Sequence, residues 1–136
     1  MKKLPLVLFL LVTSVFSHQA RADMIEPYNL TTLVALETEI KSMTQNLSCE
    51  TDTDCHAIGY GDKPCGGFKS FLIYSSPHAD EDKLIDLVQQ YNDEDHRRNM
   101  SLGMTSTCDI LLEPTVSCQS RQCLAVEPSV EGLVTE

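Results

Sequence analysis

The chain contains no tryptophan, and aromatic side chains make up only 6% of its 136 residues, so any core it builds is modest. It is also short of positive charge, with ten lysines and arginines against 20 aspartates and glutamates. Nucleic acid and anionic lipid are polyanions that such a balance repels, so charge-driven binding to either is excluded. After Phe16 there is no stretch apolar and long enough to cross a bilayer, which takes roughly 20 residues as a helix. No Cys-x-x-Cys pair occurs, which argues against a thioredoxin-like redox enzyme and against a structural zinc site. The Gly-x-Ser-x-Gly elbow of many serine hydrolases is missing too.

What is present begins with an export signal. Met1-Lys2-Lys3 is a short basic start, Leu4 to Phe16 is almost unbroken apolar sequence, and Ala20-Arg21-Ala22 ends in small residues. These are the three parts of a secretory signal peptide, with cleavage expected after Ala22. The apolar run of about 13 residues is too short for a membrane anchor. Residues 23–136 are therefore expected to form one small domain, secreted or periplasmic, that is not an integral membrane protein after cleavage. That part carries 20 acids and seven bases, a net charge of −13.

All six cysteines, Cys49, Cys55, Cys65, Cys108, Cys118 and Cys123, lie in the exported part. An even count in an oxidising compartment implies three disulfides. Each contributes roughly 2–4 kcal/mol by restricting the unfolded chain, a large share of the ~5–15 kcal/mol that stabilises a typical domain. Cys118–Cys123 is the favoured pair. Thr115–Cys118 and Cys123–Val126 read as strands around a four-residue loop, and cross-strand neighbours have Cβ atoms about 4.5–5.5 Å apart, close to bridging distance. The other four cysteines stay unassigned.

The spacing of Leu33, Leu36, Ile40, Met43 and Leu47 predicts a helix over 30–47, with Asn29 as its N-cap. Cys49 to Gly67 reads as a disulfide-bearing loop. Phe68 to Ser75, aromatic and β-branched between Gly and Pro, reads as a strand. Ser76-Pro77 then looks like a cap opening a helix over 78–99, with Leu84, Leu87, Val88 and Tyr91 on its buried face. Asp80, Glu81 and Asp82 in its first turns and Arg97 and Arg98 in its last suit the helix dipole. Thr105 to Leu112 is a possible strand, and residues from about 128 onward read as a flexible acidic tail. The fold class that follows is α+β: two main helices packed on a small antiparallel sheet, stapled by three disulfides.

Candidate chemistries are few. His56, His78 and His96 are the only histidines available as bases in the exported part, and His56 beside Cys55 points to the opposite face of an extended chain. Asp52, Asp54 and Asp62 offer oxygen ligands without the spacing of an EF-hand loop; as turn-forming residues they need no ion. His96, Met100 and Met104 are soft copper-type ligands by composition, yet core packing and a helix terminus account for them. Asn29, Asn46 and Asn99 stand in Asn-x-Ser/Thr acceptor sites that matter only in a eukaryotic secretory pathway. The residues single out no metal and no cofactor.

Cys49-Glu-Thr-Asp-Thr-Asp-Cys55 resembles the Cys-x-x-Asp-x-Asp-Cys stretch of whey-acidic-protein-type protease inhibitors. The resemblance covers these residues alone. The adjacent cysteine pair and fourth disulfide of those inhibitors are missing, so it reads as a recurrent disulfide-loop solution, not a family assignment.

Taken together, the residues lead to an expectation of an exported, non-enzymatic protein that binds another exported or envelope protein as an inhibitor or neutraliser. Its acidic surface would steer it toward a basic one. Contact is expected between His56 and Phe71, through His56, Tyr60, Lys63, Phe68 and Phe71. The alternatives are a small periplasmic hydrolase or metal-dependent enzyme using His56 or His78 with nearby carboxylates, and an envelope structural component with a broad apolar patch.

Overall fold

A computed structural model describes residues 27–126. The expected signal peptide and acidic tail lie outside the described residues.

Helix α1 spans Leu30–Met43. Asn29 caps it, its side chain accepting the Thr32 N–H, and Leu33, Leu36 and Ile40 form the buried stripe. The helix stops four residues before the predicted end because a tertiary pairing claims the chain. Ser48 bridges Gln122, and the Leu47 carbonyl accepts the Cys123 N–H at 2.8 Å. Leu47 thereby leaves the helical stripe and packs against the cysteine cluster.

Strands β1 (Cys55–Asp62) and β2 (Phe68–Ser75) pair antiparallel as a hairpin. The sequence reading places β1 in a loop. Its glycines and aspartates hide a strand that only the ladder with β2 reveals. Helix α2 spans Glu81–Leu102, shifted by three residues from expectation. Ser76 to Ala79 are used in a turn, with the Ser75 carbonyl accepting the His78 and Ala79 N–H groups, so Asp80 is the N-cap. At the far end Gly103 adopts the left-handed conformation that closes the helix. Arg97 and Arg98 are therefore not in the last turn; they pair with Glu94 and Asp95.

Strands β3 (Thr115–Gln119) and β4 (Gln122–Val126) form the second hairpin. Only Ser120 and Arg121 lie between them, both at positive φ, so the turn is a tight two-residue one. Thr105 to Leu112 forms no strand. Met100 and Met104, expected in the core or at a helix terminus, are half exposed at and just beyond the end of α2.

The two helices run antiparallel, since Asn29 meets Glu94 and Glu39 meets Lys83. They cover one face of the β1–β2 hairpin, burying Leu36, Ile40, Tyr74, Leu84, Leu87 and Val88 with Ile58, Tyr60 and Leu72 packed alongside. The second hairpin is stitched to the opposite side by disulfides, which differ from the favoured pair. Cys118 and Cys123 do face each other across β3–β4. However, Cys118 bonds Cys49 and Cys123 bonds Cys55, while Cys65 bonds Cys108. The physical reason is direction. Cys118 and Cys123 both turn to the face that rests on the 47–55 segment, where two more cysteines wait.

Candidate functional site

The loop joining β1 and β2, residues 63–67, is an irregular segment held by its own backbone bonds and by contacts from a distant part of the chain. It closes on itself through Gly66 N–H to the Lys63 carbonyl and Lys63 N–H to the Gly67 carbonyl. Gly66 and Gly67 both sit at positive φ, which their lack of a Cβ permits. The segment 106–109 then pins it from outside. Cys65 is bonded to Cys108, and its N–H donates to Ser106 Oγ. Lys63 Nζ donates to the Asp109 carbonyl and pairs with its carboxylate at 3.2 Å. Hydrogen bonding from Thr107, then from Lys63, holds the Asp109 carboxyl below its ordinary range.

Apolar side chains next in sequence to these pins stand exposed. Phe68 follows the loop directly, and its ring lies over Gly59 of the neighbouring strand and edge-on to Phe71, with centroids 5.9 Å apart. Only glycine allows this, because a Cβ at Gly59 would collide with the ring. In the pinning segment Ile110, directly after Asp109, is 75% exposed, and Leu112 is 81% exposed beside Thr115, Ala125 and Val126 of the second hairpin.

The five expected contact residues therefore separate. Phe68 and Phe71 share the face turned away from the helices. Tyr60 stacks on Tyr91 at 4.3 Å, and burial, then Tyr91, pushes its hydroxyl pKa upward. His56 stacks on Tyr74 at 5.3 Å, while Lys63 serves the loop. The exposed Ile110 and Leu112 escape a reading from sequence, because a strand over 105–112 would bury alternate side chains.

A concavity of about 570 Å³ elsewhere on the surface is lined by Ser48, Cys49, Glu50, Asp54, Pro77, His78 and Arg121. His78 shares it with two carboxylates. Asp54 is already occupied, its Oδ2 accepting the Glu50 N–H at 2.7 Å and the Thr51 N–H at 3.0 Å, and these bonds lower its pKa. Among the described residues, no hydrogen bond or ion pair joins His56 or His78 to a carboxylate; His96, which meets Asp62 at 3.1 Å, is the histidine so placed.

The oxygens of Asp52, Asp54 and Asp62 do not converge on a common point. Asp52 Oδ1 accepts the Cys118 N–H and Asp54 caps its own turn, while Asp62 stands at the far end of β1. The Sγ atoms of Cys49, Cys55 and Cys123 lie within 4.8 Å of one another, but all belong to disulfides and lack the thiolate that binds metal. Asn99 is buried and donates to Asp62, so it is closed to modification in the fold. Asn29 is busy as a cap.

Three disulfides without a free cysteine among the described residues fit an oxidising, extracytoplasmic environment. No described helix is long and apolar enough to cross a membrane. In comparisons with known protein families, curated proteins and solved structures, nothing matches the chain.

Proposed function

We propose that the protein is an exported, non-enzymatic binder of another exported or envelope protein, acting as an inhibitor or neutraliser through the pinned β1–β2 tip. The periplasm is the compartment most consistent with a short two-lysine signal peptide. The observation that carries this reading is the exposure of Phe68, directly after the loop, and of Ile110, directly after Asp109 that pins it, beside a loop fixed by one disulfide, one ion pair and two backbone bonds. A loop already ordered loses little entropy on binding, and apolar anchors inside a polar rim are the usual source of affinity. The acidic remainder of the surface favours approach to a basic partner.

Affinity capture from the native exported proteome tests the reading. The intact protein is expected to enrich a partner over a charge-matched control, and Phe68→Ser with Ile110→Ser is expected to lose it. Capture of nothing, or capture unaffected by the double substitution, counts against the proposal.

The cleft holding His78, Glu50 and Asp54 keeps the hydrolase or metal-dependent enzyme as a second reading. Turnover of ester, amide or glycoside probes that disappears in His78→Ala would put it first.

A further inference from the structure

The two edges of the β1–β2 hairpin are treated differently. The β1 edge is occupied by α2. Asn92 bonds the Gly59 carbonyl and Gly61 N–H, Asp95 accepts the Asp62 N–H, and Asn99 donates to the Asp62 carbonyl. These contacts also fix the ladder's alternation. The Gly59 carbonyl and Gly61 N–H point away from β2, and Ser76 N–H reaches the Asp54 carbonyl, so the pairs His56–Tyr74, Ile58–Leu72 and Tyr60–Ser70 exchange hydrogen bonds. Asp62, past the unpaired Gly61, gives both its backbone groups to α2. The backbone groups of Lys69, Phe71 and Ile73 consequently point away from β1. Among the described residues no other part of the chain bonds them, and β2 has no strand partner besides β1.

A free edge of this length is normally blunted by an outward lysine, a proline or a bulge. β2 has no proline, and its lysine is withdrawn, since Lys69 crosses the bare Cα of Gly61 to reach Asp95 at 2.6 Å. The edge is also free of acid. Beyond the first 22 residues, the longest run without Asp or Glu is the 17 residues from Lys63 to Ala79, in a chain with 20 acids. Both lysines of that run are neutralised by the chain's own carboxylates. The edge is thus neutral on a strongly acidic molecule. It offers no charge attraction to a foreign surface, and it is the place where two copies meet with the least mutual repulsion.

We infer that β2 pairs antiparallel with β2 of a second copy, about a two-fold axis at Phe71, making a four-stranded sheet. Phe71 then lies directly across from its counterpart, and Lys69 across from Ile73 of the other copy. The contact is isologous and closes on itself, so it does not propagate into fibres. It covers residues 69–73 and leaves the pinned loop at the end of the strand outside the pairing, so it stands independently of the proposed binding role.

Sedimentation equilibrium of the oxidised protein, from residue 23 onward, is expected to show a concentration-dependent species of twice the monomer mass. Phe71→Glu places like charges about 4.5–5.5 Å apart across the axis and is expected to give monomer, as is Phe71→Lys. Mixing the two variants is expected to restore the doubled mass. Wild type that stays monomeric to its solubility limit, a Phe71→Glu dimer, or a mixture that stays monomeric each overturns the inference. Should both variants misfold, amide exchange on the wild type decides. Phe71 and Ile73 amides are expected to slow at least tenfold on going from dilute to concentrated protein, and unchanged rates overturn the inference.

Discussion

Asp95 is fully buried, and its carboxylate serves three elements at once. It accepts the Asp62 N–H from β1, meets Lys69 from β2 at 2.6 Å, and lies 3.0 Å from Arg98 one turn along its own helix. The Arg98 contact is an ion pair without good hydrogen-bond alignment, which leaves Asp95 Oδ1 without a directed donor. Removing one partner of a buried pair costs roughly 3–5 kcal/mol. Lys69 and Arg98 both reach water, so Asp95→Ala is expected near the low end, about 3 kcal/mol in urea unfolding. Gly59 is the other residue whose chemistry is dictated from outside. Gly59→Ala drives a Cβ into the Phe68 ring. The expected cost is roughly 1–3 kcal/mol, with a rise in solvent exposure of Phe68 readable by aromatic NMR shifts. Neither role is legible in the sequence, where Asp95 is one acid in an acidic helix and Gly59 one glycine in a loop.

At the scale of elements, α2 is two half-helices in one. From Leu84 to Tyr91 it packs an apolar face on α1 and the sheet, and from Asn92 to Asn99 it presents polar groups to the edge of β1. Residue spacing is enough to read the apolar half, whereas the polar half has the composition of ordinary solvated surface. Glu94 belongs to this polar half. It accepts the Asn29 N–H at the start of α1 and pairs with Arg97. The Asn29 bond, then Arg97, holds its carboxyl below the ordinary glutamate range despite burial. A carboxyl depressed by folding contributes stability above its unfolded pKa and loses it as pH falls through the folded one. Wild type is therefore expected to exceed Glu94→Gln in stability at neutral pH. The gap should narrow as pH drops below about 4.5, as read from urea midpoints at several pH values. Helix α1 teaches the converse lesson. The stripe that predicts it continues to Leu47, but a strand-like pairing with β4 outcompetes the last turn.

At the scale of the whole molecule, the β3–β4 hairpin is too small to be stable alone, and Cys49–Cys118 and Cys55–Cys123 join it to the remainder. These bridges span 69 and 68 residues, and the first to close a loop of that size contributes about 4 kcal/mol in the chain-entropy account. With Cys55–Cys123 kept, Cys49–Cys118 closes a ring of only about 13 residues, so replacing Cys49 and Cys118 by alanine is expected to lower the unfolding free energy by about 3 kcal/mol. Amide exchange should accelerate first in residues 115–126. Peptide mapping of the unreduced protein is expected to return 49–118, 55–123 and 65–108, and a 118–123 peptide would contradict this architecture. The α+β class, both helices, β2, the terminal hairpin and the use of all six cysteines in bridges are written in the order of the residues. They follow from local periodicity, turn chemistry and an even thiol count, which near neighbours specify. Which cysteines join, that 55–62 is a strand, and which side chains stand exposed around the pinned loop are settled by the assembled fold. Each of these depends on atoms brought together from distant parts of the chain, and spacing along a sequence carries no measure of that distance.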